Sequence, residues 1–311
     1  MTPPPATAPS AAAPPRPVAP SASVTPATWR DFLTLTKPEI SFLVALSTLA
    51  GFMLGSGPEI AGWTLFFAVV GTLLTSAGVG ALNHCLEVEH DRTMKRTARR
   101  PLPDGRISVR TAYRFGVFLV AVGIGILCPL TNPLTATLAI LTVVLYLYVY
   151  TPLKRVTTYN TLVGTIPGAL PALGGWTAAT GTLGAGGWAL FAVLVCWQMP
   201  HFLSLAWMYR KDYDRGGYQM LTVTDPEGTN TVRQTLGFTI LLLGASLLPT
   251  WLGLSSLGYA VVAGILGLWF LRSVVTFYQS RSVQDARRVL KASVLYIPAL
   301  VIAITLDRLF L

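Results

Sequence analysis

The chain is 311 residues long, 52% of them hydrophobic and only 12% charged, and its formal net charge is +10. A soluble globular domain carries about twice that charged fraction, so the composition excludes an ordinary soluble fold. The three cysteines, Cys85, Cys128 and Cys196, are too few and too scattered to indicate a disulfide framework or a metal site. These features point to one large membrane domain.

The beginning of the chain differs in composition from the rest. Its first 28 residues are rich in Pro and Ala, and Arg16 is their only charged residue. A segment with so little bulky apolar surface does not bury enough of it to fold. We therefore predict a disordered tail over residues 1–28, followed by a single membrane domain over residues 29–311.

Long apolar runs recur through the membrane domain. Each approaches the roughly 20 residues that a helix needs to cross a hydrocarbon layer of about 30 Å. The runs cover residues 39–57, 62–82, 112–129, 133–151, 160–180, 185–207, 232–255, 257–278 and 291–310. Because they are continuous rather than alternating, they do not fit the strands of a β-barrel. The sequence predicts an all-α, polytopic transmembrane bundle of about nine helices.

Lys and Arg fall in every second connection between these runs. They lie at 16–37, 92–114, 154–155, 210–233 and 272–291, and the connections near 58–61, 130–132, 181–184 and 255–257 contain neither. Cytoplasmic loops of membrane proteins carry this excess of positive charge. The pattern predicts a bacterial cytoplasmic (inner) membrane protein with its N-terminus in the cytoplasm and its C-terminus outside. Topology therefore accounts for most of the charge without a nucleic-acid partner.

Acidic residues extend the second apolar run into a basic connection. Asn83, Glu87 and Asp91 recur at every fourth position, which places three oxygen-bearing side chains on one face of a helix. Like charges one turn apart repel unless a cation lies between them. Oxygen ligands of this kind suit Mg²⁺, which is often bound by a few carboxylates together with substrate phosphates. The residues alone leave open a second interpretation, a solvated helix end of mixed charge.

A second acidic segment follows the sixth run as the first follows the second. It contains Asp212 next to Lys211, and Asp214 as a weaker candidate. A spacing of four helices between the two segments predicts a duplicated four-helix unit plus one extra helix, with both acidic sites facing a central cavity. A third polar segment, with Lys154 and Arg155, lies on the same side.

Several ordered motifs resemble the UbiA-type intramembrane prenyltransferase superfamily from about residue 30 to the end of the chain. Its N-x-x-x-D-x-x-x-D pattern is matched with Glu87 in place of the first Asp. The branch of this superfamily that prenylates haem adds M-x-R-T-x-x-R-P, Y-T-P-L-K-R-x-T-x-x-N, W-Q-x-P-H-F and K-D-Y. These motifs are matched at Met94–Pro101, Tyr150–Asn160, Trp197–Phe202 and Lys211–Tyr213. The second superfamily motif, D-x-x-x-D, is incomplete, because Gly216 stands four places after Asp212.

The resemblance implies farnesyl diphosphate as the prenyl donor, haem B as the acceptor and Mg²⁺ as the cofactor. It implies catalytic and metal-binding roles for Asn83, Glu87, Asp91 and Asp212. It further implies diphosphate contacts for Arg96, Arg100, Lys154, Arg155 and Lys211. His201 is the best candidate for a haem ligand, and His84 and His90 are weaker ones, because imidazole is a common ligand of iron. A haem A synthase is the expected neighbour in the lipid membrane.

Three alternatives stay open at this point. The same chemistry on a quinone or chlorophyll precursor is disfavoured by the extended haem-branch motifs. A membrane transporter would also use polar residues and helices broken by Gly and Pro, but its sites usually lie near the midplane of the bilayer rather than at helix ends. A haem chaperone would bind haem without needing Mg²⁺ or a prenyl diphosphate.

Overall fold

The computed structural model describes residues 27–310, so nearly all of the predicted disordered tail lies outside the described residues. The described residues form helices and contain no strand, which confirms the all-α prediction. The helices are α1 (Trp29–Leu35), α2 (Pro38–Gly55), α3 (Gly62–Thr93), α4 (Val109–Leu130), α5 (Pro133–Val144), α6 (Thr151–Leu153), α7 (Asn160–Thr180), α8 (Ala185–Met208), α9 (Arg210–Arg215), α10 (Leu221–Thr224), α11 (Thr229–Trp251), α12 (Leu257–Ser280) and α13 (Val283–Phe310).

Eight helical segments between residues 27 and 310 are long and apolar enough to cross a membrane. They are α2, α3, α4, the continuous segment from α5 to α6, α8, α11, α12 and α13. At 21 residues α7 has a similar length, but it carries two prolines and several glycines and is not among the eight. The polytopic architecture is therefore confirmed, and nine crossings remain the prediction.

α3 is longer than a bilayer crossing requires. Its 32 residues extend about 48 Å at 1.5 Å per residue, against a hydrocarbon layer of about 30 Å. The surplus is at the end that carries the acidic motif, which begins at Asn83. The last turns of α3 therefore extend to one face of the bundle, which is formed by the α3–α4, α6–α7, α8–α11 and α12–α13 connections. We call this the basic face.

The long helices pack in chain order around the bundle, and α13 returns to α2. α2 also packs tightly across the bundle on α7, and α8 packs on α13. Thr48 of α2 donates to the carbonyl oxygen of Pro171 at 3.2 Å. Small residues let helix backbones approach this closely. Such contacts matter in lipid, because apolar burial alone does not drive helix association there. The division into two four-helix units around a central cavity remains a prediction.

Replacing Gly175 by Ala is expected to destabilise the bundle by about 1–3 kcal/mol, the usual cost of overpacking. The added methyl group would overlap the carbonyl oxygen of Thr48 and force α2 away from α7. Gly174→Ala is the matched control, since its methyl group would meet no atom within 4 Å. Thermal unfolding in detergent measures both variants. Equal melting temperatures for the two variants would contradict the close packing of α2 on α7 at Gly175.

The α5–α6 segment changes its helical form near the basic face. Residues Leu145–Tyr150 form a π-helical turn between α5 and α6. Such turns are rare and often occur at functional sites, because the extra residue rotates the side chains that follow. Lys154 lies directly after α6 and is carried into the site by this segment.

Candidate functional site

The acidic motif of α3 lies inside the bundle rather than in solvent. Its residues are almost fully buried: Asn83 is 0% exposed, Glu87 5% and Asp91 1%. Residues four apart on a helix are displaced by about 40°, so the three point in similar directions. The interpretation as a solvated helix end is therefore wrong, because a solvated end would leave these groups in water.

Each of the three side chains has a basic partner. Lys154 Nζ lies 2.7 Å from Glu87 Oε1, and Arg100 Nη1 lies 2.9 Å from Asp91 Oδ2. Lys37, just before α2, donates to Asn83 Oδ1. Buried charges of one sign are costly, so these contacts explain how two carboxylates remain beneath the surface.

The two lysines differ in their electrostatic surroundings. Burial favours the neutral amine of Lys154, but the Glu87 carboxylate outweighs it and holds the pKa of Lys154 well above its ordinary value. Burial lowers the pKa of Lys37 to about 7, with Glu87 opposing the shift and Arg100 adding to it. Lys154 is thus a permanent cation beside the acidic motif.

Lys154 is held in place from several sides. Its Nζ lies 4.6 Å from the ring centroid of Tyr150, a cation–π contact. Its carbonyl oxygen accepts from the amide of Gln219 at 2.7 Å, and the carbonyl of Gln219 accepts from Asn160 Nδ2 at 2.8 Å. The third polar segment is therefore joined to the connection between α8 and α11.

The second acidic segment meets the first. Asp212 Oδ2 accepts from the backbone amide of Arg96 at 3.3 Å, and Asp212 Oδ1 lies 2.9 Å from Arg215 Nη1. His90 Nδ1 and the carbonyl oxygen of Gly216 are 2.8 Å apart. The folded chain thus brings together the two segments that the sequence separates by more than a hundred residues.

Arg96 lies between aromatic rings at this junction. Its guanidinium carbon is 5.3 Å from the ring centroid of Tyr209 and 5.8 Å from that of Tyr213. Its side chain is otherwise exposed. This placement leaves the guanidinium free to contact an anion at the mouth of the site.

Other predicted site residues lie at the periphery. Arg155 is exposed and donates to the carbonyl oxygen of Leu86 at 3.2 Å, while Lys211 and Asp214 are exposed on the basic face. His201 lies on α8 and contacts Ser293 of α13, with Nδ1 and Oγ 2.8 Å apart. Its described contacts do not include the acidic motif.

The donor chemistry of the acidic motif fits a hard divalent cation. Asn83, Glu87 and Asp91 supply oxygen atoms, which are the ligands that Mg²⁺ prefers. His84 adds a buried imidazole whose nitrogens have no hydrogen-bond partner among the described residues. Its Nδ1 lies 3.8 Å from Asp91 Oδ2. Within residues 27–310, no three His, Cys, Asp or Glu side chains converge as a ready-made cage. A cation here would therefore be coordinated by phosphate oxygens of a bound ligand as well as by these side chains.

Sequence patterns assigned no role to several residues of the site, although Tyr150 and Thr151 belong to a matched motif. Lys37 and Thr151 both contact the Asn83 amide, the latter accepting from Nδ2 at 3.1 Å. Tyr150 lies beneath Lys154, and Tyr218 packs with Met94 beside the acidic segments. Lys37 was detectable only as a basic residue at the start of the first apolar run, a position that the positive-inside pattern already explained.

Comparisons with known proteins agree with the helical membrane fold. The model of the UbiA prenyltransferase family matches residues 44–296. Among solved structures, that of digeranylgeranylglyceryl phosphate synthase covers 91% of this chain and 99% of its own, with a TM-score of 0.74 at 16% identity. A UbiA homologue from Archaeoglobus fulgidus bound to GPP and Mg²⁺ covers 88% and 99%, with a TM-score of 0.60 at 16% identity. At such low identities these structures establish the fold.

An all-helical membrane bundle with buried acids and bases at one mouth is the architecture of an intramembrane prenyltransferase, and the chain belongs to the UbiA prenyltransferase family. The relatives reported next belong to one type of enzyme within this family. The protoheme IX farnesyltransferase of Salinibacter ruber is 58% identical over 277 residues, covering 89% of this chain and 98% of that protein. The protoheme IX farnesyltransferase of Solibacter usitatus is 44% identical, covering 90% and 99%.

Proposed function

We propose that this protein transfers the farnesyl group of farnesyl diphosphate to the 2-vinyl group of haem B, giving haem O and diphosphate. The observation that carries the proposal is the 58% identity to a protoheme IX farnesyltransferase over nearly its whole length. The buried acidic motif with Lys154 and Arg100 beside it supports the diphosphate chemistry.

The burial and the donor atoms of the acidic residues support metal-binding roles for them. Asn83, Glu87 and Asp91 would hold Mg²⁺, with Asp212 contributing from the second segment. When bound, Mg²⁺ would neutralise charge on the diphosphate. The carboxylates are buried among the surrounding helices, and burial strengthens the electrostatic contacts that they make.

The basic residues would take the diphosphate itself. Lys154 and Arg100 are already at the carboxylates, and Arg96 is exposed at the junction of the two acidic segments. Lys211 and Arg155 lie at the exposed periphery of the site and would attract the diphosphate as it approaches. Preorganised cations of this kind stabilise charge that develops on a leaving group.

The reaction balances without a covalent enzyme intermediate. The bond between C1 of the farnesyl group and oxygen breaks, and its electron pair leaves with diphosphate. The vinyl π electrons of haem B form the new carbon–carbon bond. Water then adds to the resulting cation and loses a proton, which leaves a hydroxyl group on the product. Apolar surroundings would be needed to protect the allylic cation from water until this step.

The finer placement of the protein is also part of the proposal. Bacterial relatives and the eight apolar helices support the inner membrane as its location. The excess of Lys and Arg on the basic face supports a cytoplasmic orientation for that face, with the C-terminus outside. His201 would ligate the haem iron, and a haem A synthase would consume the product.

We expect membranes containing the full-length protein, given labelled farnesyl diphosphate and Mg²⁺, to label haem B and not 4-hydroxybenzoate. The reason is the 58% identity to a protoheme IX farnesyltransferase, because the electron-rich ring of 4-hydroxybenzoate would also be able to attack an allylic cation. Product separation by chromatography measures the result, with membranes lacking the protein as control. Labelling of the benzoate alone would favour the quinone alternative. Pyrophosphate release without any labelled acceptor would leave hydrolysis as the activity.

A further inference from the structure

His201 belongs to a compact polar cluster in the otherwise apolar contact between α8 and α13. Its imidazole stacks on the ring of Trp197, with centroids 5.0 Å apart and an interplanar angle of 29°. Trp197 Nε1 donates to the carbonyl oxygen of Ser293 at 2.8 Å, and His201 Nδ1 lies 2.8 Å from Ser293 Oγ. Trp197 is 3% exposed and Ser293 is fully buried, so the cluster has little freedom to move.

The protons of this cluster can be counted. The Ser293 hydroxyl has a single proton, which it donates to the carbonyl oxygen of Leu290 at 2.7 Å. With that proton donated to Leu290, Ser293 Oγ accepts from His201, and in this arrangement Nδ1 carries the proton. A neutral imidazole carries only one N–H, so its Nε2 presents a lone pair.

The lone pair of Nε2 has no hydrogen-bond partner between residues 27 and 310. No described residue hydrogen-bonds to Nε2, and the imidazole keeps some accessible surface while Nδ1 is engaged at the buried Ser293. Histidines that ligate metals commonly have this arrangement, in which one nitrogen binds the metal and the other donates to a fixed acceptor. The acceptor fixes the tautomer and raises the basicity of the ligand.

We propose that Ser293 is a positioning residue that fixes the Nδ1–H tautomer of His201 and so presents Nε2 to the iron of the haem acceptor. The inference rests on the proposed function, because it requires haem as the substrate. It adds a residue from α13 to the site, whose other residues come from α3, α8 and the connections on the basic face. Trp197 would hold the imidazole plane by stacking while Ser293 sets its protonation.

The test is resonance Raman spectroscopy of ferrous haem B bound to the full-length protein in detergent, without farnesyl diphosphate. We expect an iron–imidazole stretching band in the wild type that is lost in His201→Ala and restored by added imidazole. In Ser293→Ala we expect the band at lower frequency and haem affinity reduced about tenfold, as for other losses of such hydrogen bonds. Ser293→Thr keeps the hydroxyl and is expected to recover both.

Ser204→Ala is the matched control. Ser204 is also fully buried and donates to the backbone carbonyl of His201 at 2.9 Å, but it does not contact the ring. An unchanged band and affinity in Ser293→Ala, or an equal loss in Ser204→Ala, would overturn the positioning role. A wild type that farnesylates haem B but shows no iron–imidazole band would overturn it while leaving the proposed function intact. Absence of any haem product would count against the proposed function itself.

Discussion

Replacing Asp91 by asparagine is expected to lower kcat/KM for farnesyl transfer by about a thousandfold, the scale of losing a preorganised electrostatic group. Asp91 is 1% exposed and is one of the two buried carboxylates on the α3 face. Asparagine keeps its shape but removes the negative charge that a divalent cation and Arg100 both require. Initial rates at several Mg²⁺ concentrations measure the loss.

A nearby acid on the same helix provides the control for Asp91. The Glu89 side chain is 74% exposed, and among the described residues its carboxylate pairs only with Arg92, at 2.8 Å. Exposed pairs contribute little, so Glu89→Gln is expected to retain activity within about twofold. Normal membrane insertion of both variants is part of the expectation. Full activity in Asp91→Asn with Mg²⁺ present would refute the metal assignment.

Lys154→Met is expected to destabilise the protein by about 3–5 kcal/mol, because it leaves the Glu87 carboxylate buried without its partner. The lysine and glutamate side chains are 14% and 7% exposed, and their charged atoms are 2.7 Å apart. Methionine preserves most of the apolar stem, so the lost charge dominates the effect. Unfolding in detergent, followed by circular dichroism, measures the change.

The double variant Glu87→Gln/Lys154→Met separates the structural role of the pair from its chemical role. Removing both charges leaves no uncompensated carboxylate, so most of the stability is expected to return. Activity is expected to stay low, because both a metal ligand and a diphosphate contact are gone. Recovery of activity together with stability would mean that the pair serves folding alone.

The acidic face of α3 was predictable because it depends only on the helical period. Asn83, Glu87 and Asp91 lie four residues apart on one continuous helix, so their common direction follows from local geometry. The apolar runs were predictable for the same reason, since crossing a bilayer sets their length. Both inferences need no knowledge of which helices are neighbours.

The partners of these residues could not be predicted, because they come from distant parts of the chain. Lys154 is 67 residues from Glu87, and Ser293 is 92 residues from His201. Such pairs depend on which helices pack together, and serine in an apolar helix gives no signal of its own. The family motifs marked Lys154 as important but gave no indication that it contacts Glu87.

Mg²⁺-dependent transfer of farnesyl to haem B can be measured by mass spectrometry of the haem products after the full-length protein is supplied with haem B, farnesyl diphosphate and Mg²⁺. We expect a new haem whose mass equals haem B plus a farnesyl group and a hydroxyl, with equimolar pyrophosphate, and neither product when the metal is chelated. Unchanged haem B beside consumed or translocated farnesyl diphosphate would contradict it.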